Sequence, residues 1–199
     1  MDKINHGQIK YGWILAILIM IAWGCKKTSE YHLMESRELA TDVRYDSLFF
    51  GLYLGMPAKD FYNHCWELNK KGLIRQGASN TSVHYDLPDF KHPAGMDFYP
   101  RFYEDKIVEM PLIFIYDAWS PWNKNLSADS LILEVKDLMT EWYGEGFLEI
   151  KNPKDPNNRA LVKVDGNRRI SIYNLNDSKV QVDIVDLRLL KSLEKNLKK

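Results

Sequence analysis

Cysteine is scarce in this sequence of 199 residues, which contains only Cys25 and Cys65. Extracellular domains held together by disulfides carry a larger and usually even set of cysteines. The sequence therefore excludes a disulfide framework, although the two thiols could form one bridge. If Cys25 is instead modified, Cys65 remains a lone thiol, and the simplest expectation for it is a buried and inert side chain.

Net charge is also lacking, because Lys+Arg and Asp+Glu both number 27. Residues 1–24 contain Lys3, Lys10 and Asp2, so that the chain from Cys25 onward has 25 basic and 26 acidic residues. Affinity for DNA or RNA comes largely from neutralising phosphates. The composition therefore argues against nucleic acid as a partner.

Motifs for catalysis and metal binding are absent as well, including Gly-rich phosphate loops, nucleophile elbows and HxH, HExxH or CxxC spacings. His64, His84 and His92 would form a metal site only if the fold assembled them. Asp60 and His64 lie four residues apart, which is typical of a surface pair on a helix. His64 is poorly placed to activate the adjacent Cys65, because neighbouring helix residues point about 100° apart. We predict no metal, no cofactor and no enzymatic activity.

The first 24 residues have the parts of a signal peptide. Lys3, His6 and Lys10 give a positive start, and residues 11–23, YGWILAILIMIAW, carry no charge. As a helix, thirteen residues span about 20 Å, which is short of a hydrocarbon core of ~30 Å. This length is typical of the apolar region of a signal peptide.

Gly24-Cys25, a small residue directly before a cysteine, resembles the cleavage site of bacterial lipoprotein signal peptides. The resemblance implies cleavage before Cys25 and acylation of its thiol, commonly with further acylation (palmitate, for example) of the new amine. Two or three acyl chains hold a protein firmly on a membrane. Lys26 stands where the family's inner-membrane retention signal has Asp, which favours the outer membrane. Ala22 and Trp23 depart from the usual pattern, and an uncleaved signal anchor is the alternative.

After the lipidated cysteine, we expect a partly helical polar tether over residues 25–44 and one α+β domain over residues 45–199. Two halves of similar plan, about 47–117 and 126–186, each start with a helix. The first helix begins near Pro57 and ends at Gly72, and the second has Ser127 as its N-cap and Gly144 as its end. The expected apolar stripes are Phe61, Cys65 and Leu68 in the first helix, and Leu131, Val135, Leu138, Met139 and Trp142 in the second.

Alternating patterns predict an antiparallel meander after each helix. The strand candidates are Ser82–Leu87, Gly95–Tyr103, Lys106–Tyr116, Phe147–Ile150, Ala160–Val164, Arg168–Tyr173 and Lys179–Val185. Glu104-Asp105 and Asp165-Gly166-Asn167 are predicted turns. An amphipathic helix over Leu187–Leu197 closes the chain.

A helix followed by a meander, twice, is an α+β arrangement. In this pattern, residues 47–186 resemble the tandem domains of the β-lactamase-inhibitor-protein type and the BamE family of outer-membrane-assembly lipoproteins, with Leu54-Gly55-Met56 as the shared opening of a helix. The stretch FYNHCWELNKKGL, residues 61–73, is similar to an uncharacterised family of small Gram-negative lipoproteins. These resemblances imply a fold and a cellular compartment but no activity. The pattern leaves open whether the halves form one sheet or two.

The segment between the halves, YDAWSPWNK, holds the candidate ligand-binding residues Tyr116, Trp119 and Trp122. Aromatic faces beside Asp117 and Asn123 suit sugar rings and protein interfaces. The simpler interpretation is that both indoles fill the junction between the halves. Further basic residues are Arg168-Arg169 and, near the C-terminus, Lys191, Lys195, Lys198 and Lys199. They could contact lipid headgroups or peptidoglycan, but a solvated face is the simplest expectation.

We therefore expect a non-enzymatic protein-binding module of the cell envelope, facing the periplasm or the cell surface and attached to the membrane by acyl chains on Cys25. The alternative is a surface lipoprotein that binds glycan through Trp119 and Trp122. A hydrolase would require a cleft with convergent polar groups.

Overall fold

The computed structural model describes residues 26–77, 81–152 and 155–197. The predicted signal peptide and Cys25 lie outside the described residues, as do Lys198 and Lys199. Four α-helices occur in the described part, and a short 3₁₀ turn, Lys124–Leu126, precedes the third. The helices are α1 (Lys26–Ala40), α2 (Ala58–Lys70), α3 (Ala128–Tyr143) and α4 (Leu187–Leu197).

The strands are β1 (Arg75–Gln76), β2 (Val83–Asp86), β3 (Ala94–Phe98), β4 (Arg101–Tyr103), β5 (Lys106–Tyr116), β6 (Leu148–Asn152), β7 (Asp155–Asp165), β8 (Arg168–Asn174) and β9 (Lys179–Asp186). They form one antiparallel sheet in the order β1-β2-β3-β5-β9-β8-β7-β6, and β4 also pairs with β5. The α+β prediction, with its C-terminal helix, is confirmed.

The two meanders meet where β5 pairs with β9. The ladder runs from Glu109 opposite Val185 to Ile115 opposite Lys179. The halves therefore share one continuous sheet rather than two, which answers the question that the sequence pattern left open.

Helix α2 follows the predicted pattern. Phe61 and Leu68 are buried and Cys65 is half-buried on the same face. Pro57 occupies the N-cap, one residue before its expected place. Gly72 has φ +72°, and the helix closes with the N–H of Leu73 donating to the carbonyl of Leu68.

Helix α3 covers the centre of the sheet. Of the predicted stripe, Leu131, Val135 and Met139 are buried, and the helix contacts β5, β8 and β9. Leu138 and Trp142 are half-buried. Ser127 is the N-cap residue, but its hydroxyl donates to the carbonyl of Lys124 at 2.8 Å instead of accepting from the helix. Leu126, directly before the N-cap, is buried, as is Leu131 in the first turns of the helix.

The predicted strand Gly95–Tyr103 is interrupted. β3 ends at Phe98, β4 begins at Arg101, and both pair with β5, so that Tyr99-Pro100 forms a break in one long edge. Proline has no N–H for a ladder hydrogen bond, which accounts for a break here. The turn at Glu104-Asp105 is confirmed, and both residues have positive φ, +47° and +62°.

The hairpin between β7 and β8 pairs Asp165 with Arg168, so that Gly166 and Asn167 form the turn. The Asn167 amide is buried. It accepts from the N–H of Tyr45 at 2.6 Å and donates to Asp46 at 2.8 Å. The chain before the first half is therefore fixed to the hairpin of the second half.

The sheet is covered differently on its two faces. Ile170 is fully buried beneath α3, and the adjacent Arg169 points to the opposite face. On that opposite face, helix α1 contacts β6 and β7, where Val162 and Val164 are buried. Helix α1 falls in the segment predicted as a partly helical tether, and it packs on the domain.

Candidate functional site

An open groove of about 950 Å³ lies between helix α3 and residues 87–93, the loop that joins β2 to β3. Aromatic side chains from the sheet and from the turn before α2 form its floor, and α3 forms one wall. The aromatic lining residues are Phe50, Tyr85, Phe90, Tyr116 and Trp142.

One carboxylate on α3 fixes both sides of this groove. Glu134 accepts a hydrogen bond of 2.5 Å from the hydroxyl of Tyr116 and one of 2.8 Å from the N–H of Lys91. Tyr116 is only 1% exposed. Burial, followed by the hydrogen bond to Glu134, raises the pKa of Tyr116 well above its usual value, so that the phenol stays protonated and donates.

The rim of the groove is acidic. Its lining contains two lysines and one histidine (Lys91, Lys124 and His92) but five carboxylates, Asp89, Asp129, Glu134, Asp137 and Glu141. Asp137 and Glu141 are exposed and form no ion pair with another described residue. Leu133, next to them on α3, is 63% exposed. The groove thus offers uncompensated negative charge beside apolar surface.

Phe50 reaches the floor because of an unusual turn. The φ of Phe50 is +54°, a left-handed conformation that phenylalanine rarely adopts. The following Gly51 also has a positive φ, +79°. The ring packs against Tyr85 at 4.7 Å and Trp142 at 6.2 Å between centroids. The imidazole Nε2 of His64 lies 2.6 Å from the Phe50 carbonyl and holds the turn in place. The adjacent Phe49-Phe50-Gly51 was the available signal in the sequence for this turn, and the sequence analysis missed it.

The three candidate ligand-binding residues do not converge. Tyr116 lines the groove, whereas the half-buried Trp119 lines a separate cleft of about 290 Å³. Trp122 is 84% exposed and lines neither cavity. The interpretation that both indoles fill a junction is wrong for Trp122.

Cys65 has no environment that would activate it. Burial raises the pKa of its thiol to about 12. The side chain of the adjacent His64 lies against the Phe50 carbonyl. It does not form the surface pair with Asp60 that their helical spacing suggested.

The histidines also have separate partners. His84 Nδ1 lies 2.8 Å from Asp97 and its Nε2 3.1 Å from Asp86, while His92 packs edge-on against Tyr116. Across residues 26–77, 81–152 and 155–197, no group of three or more His, Cys, Asp or Glu side chains is placed to hold a metal ion.

Arg168 was expected on a solvated face, but this expectation is wrong, because the residue is only 6% exposed. Its guanidinium donates to the Ser47 carbonyl at 2.7 Å and to Asp165 at 3.0 Å, and it lies 4.5 Å from the centre of the Tyr143 ring. This arginine connects the N-terminal segment to the sheet and is a structural residue.

Comparison with known proteins returns no matching family model, no matching curated protein and no matching solved structure. In the part of the chain that the structure describes, none of the helices combines the length and the apolar character that crossing a membrane requires.

Proposed function

We propose that this protein is a lipid-anchored, non-enzymatic module of the cell envelope that binds a protein partner in the groove between α3 and residues 87–93. In this proposal Cys25 carries the acyl chains, and the domain faces the periplasm or the cell surface, most simply at the outer membrane. The observation that carries the binding role is the combination of an aromatic floor with the unpaired carboxylates of Asp137 and Glu141.

Charge complementarity selects the kind of partner. A groove with five carboxylates and two lysines attracts a basic segment and repels an acidic one. The aromatic floor and the exposed Leu133 favour apolar side chains between the basic ones, because buried aromatic pockets supply most of the affinity at interfaces. The partner we propose is therefore a basic, amphipathic segment of an envelope protein.

The dimensions of the groove fit such a segment. The α3 wall runs from Ser127 to Trp142, which is about 22 Å at 1.5 Å per residue. This length accommodates about seven residues of extended chain. Glu134 is already paired with Tyr116 and Lys91 and keeps the walls in position, while Asp137 and Glu141 remain available to the partner.

Binding can be tested with two short fluorescent peptides, one alternating lysine with leucine and phenylalanine, the other with glutamate in place of lysine. We expect fluorescence polarisation to show binding of the basic peptide only. The double variant Asp137→Lys, Glu141→Lys should lose this binding, since it reverses the charge of the rim. Asp60→Lys, Glu67→Lys, the same change on exposed positions of α2, is the matched control. Equal binding of both peptides, or no effect of the rim reversal, would contradict the proposal.

The anchor is tested separately, by the intact mass of the protein extracted from membranes. A chain that starts at Cys25 and carries acyl mass, with that mass lost in Cys25→Ala, would support lipidation. A full-length chain without acyl mass would identify an uncleaved signal anchor and contradict this part of the proposal.

A second candidate function, glycan binding, is supported by the cleft at Trp119. Beside the indole, this cleft is lined by amide and carboxylate side chains, including Asn123, Asn174 and Asp177. An aromatic face with flanking hydrogen-bonding groups suits a sugar ring. Titration with soluble peptidoglycan fragments, followed by tryptophan fluorescence, should show binding that Trp119→Ala abolishes. Binding that survives Trp119→Ala, or that the exposed Trp66→Ala on α2 removes equally, would refute a site at Trp119.

A further inference from the structure

Strand β6 forms one edge of the sheet, and one side of its backbone has no strand partner. It stands last in the strand order and, within the described residues, pairs only with β7. The ladder with β7 is regular from Leu148 to Lys151 and shifts its register only after Lys151. The segment Leu148–Lys151 therefore presents a row of free N–H and carbonyl groups, on which a further antiparallel strand can pair.

The two charged side chains of this edge lie on the same face of the sheet. Glu149 and Lys151 are two residues apart, and side chains of a strand alternate between its faces. On the neighbouring strand, Arg159 is directly opposite Lys151, and its guanidinium lies 3.9 Å from the Glu149 carboxylate. Lys151 is exposed and forms no ion pair with any side chain that the structure describes. Because Lys151 faces an arginine on one side, a carboxylate on its free side would stabilise it.

The order of these residues makes the edge complementary to itself. When two copies of Leu148–Lys151 pair antiparallel about a two-fold axis at Ile150, Glu149 of each copy lies opposite Lys151 of the other. A pairing centred on Glu149 would place two glutamates opposite each other, and one centred on Lys151 would place two lysines opposite each other. The charges therefore favour a single register, the one centred on Ile150.

The helices of the domain leave this edge accessible. Helix α1 contacts one face of β6 and β7, and α4, which pairs with α1 through Lys191 and Glu35, contacts β9. The two helices thus lie over β6–β9, inward from the free edge. The described residues that line the groove beside α3 all lie outside β6, so that pairing at the edge does not cover the groove.

We propose that the β6 edge joins two copies of this chain into a symmetric dimer with one continuous sheet. The occupant is a second copy, because its own Glu149 and Lys151 supply both complementary charges at the required spacing. The two-fold axis is perpendicular to the sheet, as it is for any antiparallel pair of identical strands. Equivalent faces therefore lie on the same side, with both α1 helices on one face and both grooves on the other.

A disulfide between the two copies tests this geometry. Opposing residues of an antiparallel pair have Cα atoms about 4.5–5.5 Å apart, within the range that a disulfide spans. We expect the full chain with Cys65→Ser and Ile150→Cys to form a linked dimer when membranes are mildly oxidised, as read on a non-reducing gel. Mass mapping of the linked peptide distinguishes a bond at position 150 from one at Cys25.

Arg75→Cys, in place of Ile150→Cys, is the matched control, because β1 is the opposite edge of the same sheet and Arg75 is exposed. It should give little linked dimer. Absence of a dimer linked at position 150, or equal yields at positions 150 and 75, would overturn the proposal.

Charge exchange tests the register. Glu149→Lys should place lysines opposite each other and Lys151→Glu should place glutamates opposite each other. Each single variant should raise the dissociation constant of the dimer about tenfold or more, because two favourable pairs become repulsive. An equimolar mixture of the two variants should restore dimers, since every charge then faces its opposite. Analytical ultracentrifugation of the full chain in detergent measures the three samples and the parent.

Lys59→Glu and Asp60→Lys, single charge reversals at exposed positions of α2, should leave the dimer unchanged. A parent chain that stays monomeric at its highest soluble concentration, or a dimer that neither edge variant weakens, would overturn the proposal. So would a mixture that stays monomeric although circular dichroism shows both variants folded. If a single variant does not fold, the double variant Glu149→Lys, Lys151→Glu decides, because it exchanges the charges within each chain and should dimerise as the parent does.

Discussion

The hydroxyl of Tyr116 on β5 donates to the carboxylate of Glu134 on α3 across 2.5 Å, at the floor of the groove. A second hydrogen bond, from the N–H of Lys91, attaches residues 87–93 to the same carboxylate. Sheet, helix and loop are thus held by one side chain, and the shape of the groove depends on it.

Removing this hydroxyl should destabilise the protein. We expect Tyr116→Phe to lower the free energy of unfolding by about 1.5–3 kcal/mol, the usual range for a hydrogen bond to a charged group. Urea unfolding at neutral pH measures the change. Tyr62→Phe, which removes an exposed bond between the neutral hydroxyls of Tyr62 and Tyr99, is the control and should cost less than about 1 kcal/mol. Equal losses in the two variants would contradict the role given to Glu134.

Glycine is required at Gly166 for two reasons and at Gly55 for one. Both have positive φ, +51° and +84°, where a side chain costs about 1–2 kcal/mol. A Cβ at Gly166 would also lie 2.3 Å from the Val43 carbonyl oxygen, whereas a Cβ at Gly55 would meet nothing within 4 Å. We expect Gly166→Ala to lower the free energy of unfolding clearly more than Gly55→Ala does. Urea unfolding of both variants checks this, and the opposite order would show that segment 43–47 is not fixed to the hairpin.

The thiol of Cys65 should react slowly. With its pKa raised by burial to about 12, the thiolate fraction at pH 8 is on the order of one in ten thousand. We expect iodoacetamide to leave Cys65 unmodified in the folded protein and to modify it quickly in urea, as read by mass mapping of the peptide that contains it. Trp66→Cys, with Cys65→Ser, places a thiol at an exposed neighbouring position and should react quickly without urea. Equal rates at both positions would contradict the burial of Cys65.

The contact between α1 and α4 should weaken in acid. Burial alone would raise the pKa of Glu35, but hydrogen bonds from Lys191 and Tyr31 outweigh it and hold the pKa below its usual value. A carboxylate of this kind stabilises the folded state above its unfolded pKa, about 4.3, and this contribution is lost as the pH falls through the lower, folded pKa.

Comparison of Glu35→Gln with the parent protein isolates that contribution. We expect the variant to be less stable at pH 7 and the difference to shrink as the pH falls below about 4.3. The free energy of unfolding in urea at both pH values measures it. Glu30→Gln, at an exposed position of the same helix, should show no such difference. A difference that persists unchanged in acid would mean that ionised Glu35 does not hold α1 in place.

Local patterns were sufficient to predict most elements. β5 begins and ends at the predicted Lys106 and Tyr116, and α4 spans the predicted Leu187–Leu197. Alternation along a half-buried strand and amphipathicity along a surface helix are both properties of short windows of sequence. Asp186, whose carboxylate accepts from the N–H groups of Arg188 and Leu189, is a further local signal for the start of α4 that the sequence analysis did not use.

The candidate site could not be predicted in the same way, because its parts come from distant segments. Phe50, Tyr85, Tyr116 and Glu134 belong to a turn, two strands and a helix that only the completed sheet brings together. The burial of Arg168 has the same origin, since its partner Ser47 lies 121 residues away. The segment Tyr116–Trp122 was identified as aromatic, but sequence does not show that its rings point to different places.

The pairing of β5 with β9 has a consequence for the order in which the chain folds. One edge of β5 is occupied by β3 and β4, and its other edge is satisfied by β9, which lies at residues 179–186 near the end of the chain. Until that last strand has been synthesised, the N-terminal half exposes a row of unpaired backbone groups, the kind of edge on which chains aggregate. A truncation that removes β9 would therefore leave one edge of β5 unpaired. The damage would fall on the N-terminal half, although β9 is far from that half in sequence.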